Sequence, residues 1–252
     1  MEVAGNLTNT CQICGQPVTV LYQPTGLHKI DYNLRKMASM VVHDHCYGQR
    51  IQEQTQEEEL ARLVKRGNDF AELCPAQYRD SDEWLKTGHA KKVNLKAVHE
   101  ALAWPYGKTG LIMHGKTSGS GKTTAAWVLC KREILLGRFV VALTHKELSD
   151  KATWAAKELN ATSKQWARIV KTCDLLFIDD LGKSRFRSMS GEGRASEEFL
   201  FDVMDKRCSE GLPILFTVNM TGTELKAAMS EDKGAYFSRR MREFFKSISF
   251  DK

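Results

Sequence analysis

The stretch HGKTSGSGKTT, residues His114–Thr124, carries the strongest structural signal in this chain. It follows the apolar run Leu111–Met113 and precedes the helix-forming run Ala125–Leu129. A strand, a glycine-rich loop and a helix in this order form the setting in which a phosphate-binding loop works. The stretch therefore predicts a nucleotide-binding loop at the end of a buried strand.

The residue types in this loop suit nucleotide phosphates. Gly119 and Gly121 let the backbone turn tightly, so that successive N–H groups and the helix N-terminus point at the phosphates. Lys122 adds a movable positive charge at the outer phosphates, and Thr123 can offer its hydroxyl to Mg²⁺. The predicted ATP-binding residues are Ser118, Gly119, Ser120, Gly121, Lys122, Thr123 and Thr124.

The first half of the loop departs from the usual spacing. Lys116 stands where the first glycine of the pattern is expected, and Gly115 lies one residue earlier. The half that binds the phosphates, from Gly119 onward, is intact. We interpret the loop as one residue longer than usual.

Two carboxylates follow a second apolar run. Asp179 and Asp180 come directly after Leu175–Ile178, at the carboxyl edge of a predicted strand, where ligands of open α/β sheets bind. We expect Asp179 to hold Mg²⁺ together with Thr123. Asp180 is then placed to orient or deprotonate the water that attacks the phosphate.

Short apolar runs alternate with amphipathic stretches from about residue 73 onward, which predicts a parallel five-stranded sheet covered by helices. One of these runs ends at Asn219, whose amide could reach the same water or the γ-phosphate. Tyr78 and Trp104–Tyr106 are candidates to border the adenine. The predicted strands are 111–113, 139–143, 175–178, 214–219 and 248–250. The predicted helices are 123–136, 146–158, 162–172, 195–210 and 234–245.

The phosphate loop, Leu175–Asp180, Phe199–Arg207 and Phe216–Asn219 together resemble the AAA+ ATPases of the DnaC/IstB type. That group includes bacterial and phage helicase loaders and helper ATPases of transposons. The resemblance covers about residues 74–252 and implies a three-layer P-loop AAA+ domain that hydrolyses ATP with Mg²⁺. It also implies that Asn219 senses the γ-phosphate.

The resemblance further implies an arginine before the last strand that reaches the ATP of a neighbouring subunit. Arg239, Arg240 and Arg242 are available, and Arg240 is the favoured candidate. An arginine supplied in this way ties hydrolysis to the assembly of a homo-oligomer. Since the sequence stops soon after the last predicted strand, we expect no C-terminal helical lid.

The N-terminal region has the ligand spacing of a zinc site. Cys11 and Cys14 form one pair, and His43 and Cys46 form a second, with His45 as an alternative to His43. Four such ligands suit tetrahedral Zn²⁺ and leave no open position, which favours a structural site in a module that resembles a treble clef. Ordinary buried residues are expected at Cys74, Cys130, Cys173 and Cys208.

The composition restricts the class of protein to which this chain can belong. The chain has 252 residues, of which 42% are hydrophobic and 27% charged, which is typical of a globular protein. No apolar run approaches the roughly 18 residues of a membrane span, and the N-terminus lacks a signal region. We therefore expect a cytoplasmic protein of a bacterial or phage-infected cell. We predict a hairpin-bearing zinc module over 1–47, a helical linker over 48–73 and the ATPase domain over 74–252.

The formal net charge of +6 permits a polyanionic partner without requiring one. Cations cluster after the acid pair, within Gly182–Arg194, and on the helices predicted after the second strand of the domain. In a ring of such domains they could follow the backbone of single-stranded DNA. The helix cations are Lys146, Lys151, Lys157, Lys164, Arg168 and Lys171.

The leading hypothesis is an ATP-dependent helicase loader that oligomerises, binds single-stranded DNA and delivers a replicative helicase during DNA replication. The zinc module would contact the helicase or another replication protein. Three alternatives stay open. They are a helper ATPase that presents DNA to a transposase, a small-molecule kinase built on the same loop, and a zinc-containing nucleic-acid adaptor with a vestigial ATP site.

Overall fold

The structure is a computed structural model that describes residues 5–10, 16–22, 44–83, 93–107, 109–158, 160–182 and 192–251. The chain divides into two compact units, Met1–Val64 and Lys65–Lys252. In the first unit, β1 (Gly5–Thr10) and β2 (Pro17–Tyr22) pair as an antiparallel hairpin. The long helix α1 runs from Asp44 to Leu73 and covers the segment predicted as a helical linker.

The second unit contains a parallel sheet of five strands, as predicted. The strands are β3 (Gly110–His114), β4 (Val140–Thr144), β5 (Leu175–Leu181), β6 (Ile214–Val218) and β7 (Phe245–Ser249). They lie in the order β4-β5-β6-β3-β7, and every neighbouring pair is parallel. The strand before the phosphate loop, β3, is therefore separated from the acidic strand β5 by β6.

Helices connect these strands. They are α2 (Leu95–Leu102), α3 (Lys122–Leu135), α4 (His145–Lys157), α5 (Ala161–Thr172), α6 (Glu192–Glu210), α7 (Gly222–Ala228) and α8 (Glu231–Phe244). The five long predicted helices agree with α3, α4, α5, α6 and α8 to within one turn. The sequence analysis missed α2, α7 and a short 3-10 turn at Ala76–Tyr78, because each is too short to show a helical period.

Two apolar clusters, one on each face of the sheet, make the three-layer arrangement. On one face α2, α3 and the end of α1 pack against strand residues such as Phe177. On the other face the helices α4–α8 pack against residues such as Phe216. The three-layer α/β fold is therefore confirmed.

The last strand differs from its prediction. Helix α8 ends at Phe244 and β7 begins at Phe245, whereas the sequence suggested a helix to residue 245 and a strand only from residue 248. Phe245 is buried in one apolar cluster and Ile248 in the other, so both faces of β7 are covered. The strand has only these two apolar residues, three positions apart, and the polar residues Lys246, Ser247 and Ser249 beside them are partly or fully exposed, so it lacks the regular alternation that marks a strand in sequence.

Among the other predictions, Cys74, Cys130 and Cys173 are buried free thiols, as expected, and Cys208 is partly buried. None of the helices within the described ranges is long and apolar enough to cross a membrane.

Candidate nucleotide-binding site

The phosphate loop joins the end of β3 at His114 to the start of α3 at Lys122. Gly119 has a φ of +75° and Gly121 a φ of +102°, left-handed conformations that residues with a Cβ rarely adopt. A Cβ at Gly121 would also lie only 3.1 Å from Val98 Cγ2 of α2. These two glycines therefore provide the tight turn that their sequence positions predicted.

Lys122 is only 5% exposed and is bound by its own loop. Its ammonium donates hydrogen bonds to the carbonyl oxygens of Gly115 and Thr117, both at 3.0 Å, and to Ser120 Oγ at 3.1 Å. Burial lowers the pKa of Lys122, against which the negative charge of Asp251 acts. The ammonium thus joins the start of the loop at Gly115 to its end.

Two segments that are remote in sequence support the loop. The Asn94 backbone N–H donates to the carbonyl of Ser120 at 3.1 Å, and the Asn94 side chain donates to the carbonyl of Asp251 at 3.2 Å. The Thr117 N–H donates to Asp251 Oδ1 at 3.3 Å. The sequence analysis missed Asn94 and Asp251, since an isolated polar residue far from the motif carries no signal of its own.

The carboxylate of Asp179 lies beside the first turn of α3. Its Oδ1 accepts a hydrogen bond from Thr123 Oγ1 at 2.9 Å and a second from the hydroxyl of Thr217. Burial raises the pKa of Asp179, and these donors oppose that shift. A carboxylate and a hydroxyl at this spacing suit Mg²⁺, which prefers oxygen ligands and keeps several waters. Thr123 and Asp179 are thus the residues that would hold the ion.

Asp180 and Asn219 also meet, from neighbouring strands. Asn219 Nδ2 donates a hydrogen bond to Asp180 Oδ1. Asp180 has a φ of +55°, which is uncommon for a non-glycine residue, and the pairing of β5 with β6 shifts register between Ile178 and Leu181. The structure therefore brings together the acid pair and the polar residue predicted at the end of β6.

A cavity of about 350 Å³ lies over these groups. It is lined by Tyr78, Ser118, Gly119, Ser120, Gly121, Lys122, Thr123, Thr124, Asp179, Asp180 and Asn219. Tyr78 reaches the cavity as expected of a residue that borders the base, with its ring stacked 6.5 Å from that of Trp127.

The expectation for Trp104–Tyr106 is wrong. Trp104 is 1% exposed and its indole N–H donates to the carbonyl of Thr109. The hydroxyl of Tyr106 donates to the carbonyl of Asp174, at the start of β5 and away from the phosphate loop. Both aromatic residues pack with the core instead of lining the cavity.

The three candidate arginines lie on α8 and are not among the described residues that line the cavity. Arg240 forms an ion pair with Asp205 at 3.2 Å and donates a hydrogen bond from Nε to the hydroxyl of Tyr236 at 2.9 Å. Arg239 lies 3.9 Å from Glu243, and Arg242 donates to a backbone carbonyl within its own helix. A role for any of them in ATP hydrolysis therefore depends on a second subunit.

The predicted zinc ligands cannot be placed. Cys11, Cys14 and His43 lie outside the described residues, and the side chains of His45 and Cys46 are not described either. The described part of the chain contains no group of three or more His, Cys, Asp and Glu residues that could hold a metal ion. The zinc site therefore stays a prediction.

The predicted DNA-binding cations are described only in part, because residues 183–191 also lie outside the described ranges. On the helices, Lys146 pairs with Asp150 at 2.6 Å, and Lys171 pairs with Asp202. The exposed members of this set are Lys146, Lys151, Lys157, Lys164 and Arg168.

Solved structures share this fold. The DnaC helicase loader is 18% identical with a TM-score of 0.54, and the match covers 70% of this chain and 100% of that one. This chain has the AAA+ ATPase fold. AMPPCP-bound DnaA from Aquifex aeolicus is 18% identical with a TM-score of 0.50, and the match covers 66% of this chain and 50% of that one.

A structure of the replication initiator DnaA bound to AMPPCP and single-stranded DNA is 19% identical, with a TM-score of 0.50 and coverage of 66% and 50%. This chain thus spans about half the length of these DnaA structures. No protein-family model and no curated protein matches the sequence. Within this fold, β6 between β3 and β5 places Asn219 next to the acid pair.

Proposed function

We propose that this protein is an ATP-hydrolysing helicase loader. The observation that carries the proposal is the convergence of the phosphate loop, the Thr123–Asp179 hydrogen bond and the Asn219–Asp180 hydrogen bond around one cavity. Support for the client comes from the fold, which matches the DnaC helicase loader over the whole of that chain. The match to DnaA bound to single-stranded DNA supports a second partner, DNA.

The residues around the cavity divide the work of hydrolysis. Lys122 and the loop N–H groups bind the β- and γ-phosphates, and Thr123 and Asp179 hold Mg²⁺, which supplies charge stabilisation when bound. Asp180 accepts a proton from the attacking water or orients it, and Asn219 donates a hydrogen bond to the γ-phosphate or to that water. In this structure Asp180 and Asn219 bind each other where both line the cavity.

Hydrolysis is completed by an arginine from a second copy of the chain. Arg240 is our candidate, because its side chain is 26% exposed and its guanidinium is oriented by Asp205 and Tyr236. An arginine that enters only on assembly stabilises transition-state charge only in the oligomer. ATP turnover would then report on oligomer formation.

The N-terminal region is proposed to bind the client through its zinc module, with Cys11, Cys14, His43 and Cys46 as ligands. We expect one zinc per chain by elemental analysis of protein purified without chelator. Protein that holds no zinc under those conditions would remove the zinc module from the proposal without affecting the ATPase domain.

Two measurements on the same preparations test the proposal. The first is Mg²⁺-dependent ATP hydrolysis with and without single-stranded DNA. The second is capture of the replicative helicase of the host on immobilised, ATP-bound protein. Lys122→Ala is expected to abolish ATP binding and both signals, because the loop loses its only buried ammonium group among the described residues. Lys116→Ala, which removes an exposed loop lysine paired with Glu224, is the matched control.

The outcome of these measurements distinguishes the helicase loader from the alternative functions. Capture of a transposase in place of the helicase would identify a transposition helper ATPase. A monomer that transfers phosphate from ATP to a metabolite would identify a kinase. A protein that binds ATP and partner but hydrolyses nothing would identify an adaptor, and full activity of Lys122→Ala would contradict the assignment of the phosphate loop.

A further inference from the structure

A buried hydroxyl beside the acid pair has no part in the chemistry described so far. Thr217 lies in β6, two residues before Asn219, and is 1% exposed. Its hydroxyl donates a hydrogen bond to Asp179 Oδ1 and accepts one from the backbone N–H of Asp180, at an N···O distance of 2.9 Å. One side chain therefore contacts both acidic residues at the end of β5.

The second of these contacts replaces a regular sheet hydrogen bond. Ile178 pairs with Phe216, and Leu181 pairs with Val218, so two residues of β5 stand opposite Thr217 alone. This is a β-bulge, which interrupts the ladder and turns side chains away from their regular direction. The hydroxyl of Thr217 accepts a hydrogen bond from the backbone N–H of Asp180, which is not bonded within the sheet ladder.

The bulge decides where the second carboxylate points. In a regular strand Asp179 and Asp180 would face opposite sides of the sheet, because side chains alternate. Here both line the cavity, and Asp180 adopts a φ of +55°. A non-glycine residue keeps such a conformation only when its surroundings hold it there.

We propose that Thr217 is a positioning residue for ATP hydrolysis, whose hydroxyl holds Asp179 and Asp180 on the cavity side of β5. The inference rests on the proposed function and deepens it. Thr217 is not among the described residues that line the cavity, so it acts through the two carboxylates and not on ATP. The contacts between the phosphate loop and the nucleotide do not depend on it.

The test compares Thr217→Val, which keeps the shape of the side chain and removes the hydroxyl, with Thr217→Ser, which restores the hydroxyl. We expect kcat of Thr217→Val to fall about 10- to 100-fold, because catalytic groups lose their alignment. Its affinity for AMPPCP without Mg²⁺ should stay within roughly twofold of wild type, since ground-state contacts are kept. Thr217→Ser should keep most of kcat.

Ser163→Ala is the matched control for loss of stability. Ser163 is 2% exposed, and its hydroxyl donates to backbone carbonyls at the start of α5, away from the cavity. Its removal also deletes a buried hydroxyl but should leave kcat unchanged. Wild-type turnover by Thr217→Val would overturn the inference, as would equal losses of kcat in Thr217→Val and Ser163→Ala.

A binding measurement separates this inference from the proposed function. If the wild-type protein binds AMPPCP but hydrolyses no ATP, the proposed function fails. The gain in AMPPCP affinity on adding Mg²⁺ then tests the part of the inference that does not depend on hydrolysis, which is that Thr217 holds the carboxylates on the cavity side of β5. This part stands only if Thr217→Val lowers that gain and Thr217→Ser does not. A wild-type protein that binds no nucleotide overturns both.

Discussion

At the scale of single residues, Asp180 combines an unusual backbone conformation with a proposed role in ATP hydrolysis. Its left-handed φ of +55° costs free energy, and the hydrogen bonds to Thr217 and from Asn219 offset part of that cost. The result is a carboxylate that enters the cavity beside Asp179. A conformation of this kind is expected where the position of one side chain matters more than local stability.

Asp180→Asn tests whether Asp179 and Asp180 have different roles, one in binding Mg²⁺ and the other in activating water. Because Asp179 and the phosphate loop stay intact, we expect nucleotide binding to persist, while hydrolysis slows by about 100-fold or more through loss of the carboxylate. Asp174→Asn, at the opposite end of β5, is the control and should hydrolyse ATP normally. Loss of nucleotide binding in Asp180→Asn with unchanged Mg²⁺ affinity would reassign the two roles.

At the scale of elements, a buried arginine of α6 joins the starts of two strands. Arg207 is 0% exposed and donates hydrogen bonds to the carbonyl oxygens of Val170, Cys173 and Pro213, at 3.1, 2.9 and 2.8 Å. These carbonyls belong to the end of α5 and to the turns that enter β5 and β6. The contacts fix the amino ends of the two strands whose carboxyl ends carry the site.

Removal of this arginine should destabilise the fold. In Arg207→Met the three carbonyls lose a charged donor, although that of Pro213 keeps the N–H of Leu176, and a buried carbonyl left without a donor costs about 1–3 kcal/mol. We expect the free energy of unfolding in urea to fall by roughly 3 kcal/mol or more. The neighbouring exposed change Lys206→Met should stay within roughly 0.5 kcal/mol of wild type. Equal stability of the two variants would argue against this role.

For the whole molecule, His145 makes stability depend on pH. It is 1% exposed at the start of α4, and burial lowers its pKa from 6.5 to about 4. The unfolded chain binds a proton at this residue below pH 6.5, whereas the folded protein does so only near pH 4. The stability that comes from the neutral, buried ring is therefore complete above pH 6.5 and is lost as the pH falls toward 4.

The corresponding measurement is the free energy of unfolding between pH 7 and pH 4. We expect His145 to account for a loss of up to roughly 3 kcal/mol over that range, and His145→Gln to remove this part of the pH dependence. An identical slope in His145→Gln and wild type would contradict the assignment.

Assembly is the second property of the whole molecule, and subunit mixing tests it. If Arg240 acts in the neighbouring site, Arg240→Ala should lower hydrolysis by about 1,000-fold in the oligomer. Mixing it with Lys122→Ala should restore part of the activity, since the second protein supplies the arginine and the first supplies an intact phosphate loop. Arg239→Ala is the control. Mixtures without recovered activity, or an equal loss in a demonstrable monomer, would overturn the role in trans.

Local pattern was sufficient for the strand, the phosphate loop and the helix around residues 111–129, for the parallel sheet and for the polar strand ends at Asp179, Asp180 and Asn219. In these segments the structure follows from residue type and apolar spacing over a few neighbouring positions, and both can be read directly from the sequence. The weaker predictions concerned segments without a regular apolar period, such as the edge strand β7, which has only two apolar residues, and the aromatic residues Trp104–Tyr106.

Only the tertiary structure showed that β6 lies between β3 and β5, and that Thr217 therefore meets both carboxylates. Alternation along the chain would have separated Asp179 from Asp180, and a bulge across from Thr217 brings them together. The support of the loop by Asn94 and Asp251 joins segments that are remote in sequence. Contacts of this kind depend on which strands become neighbours, and strand order is set by packing of the whole domain, not by any local run of residues.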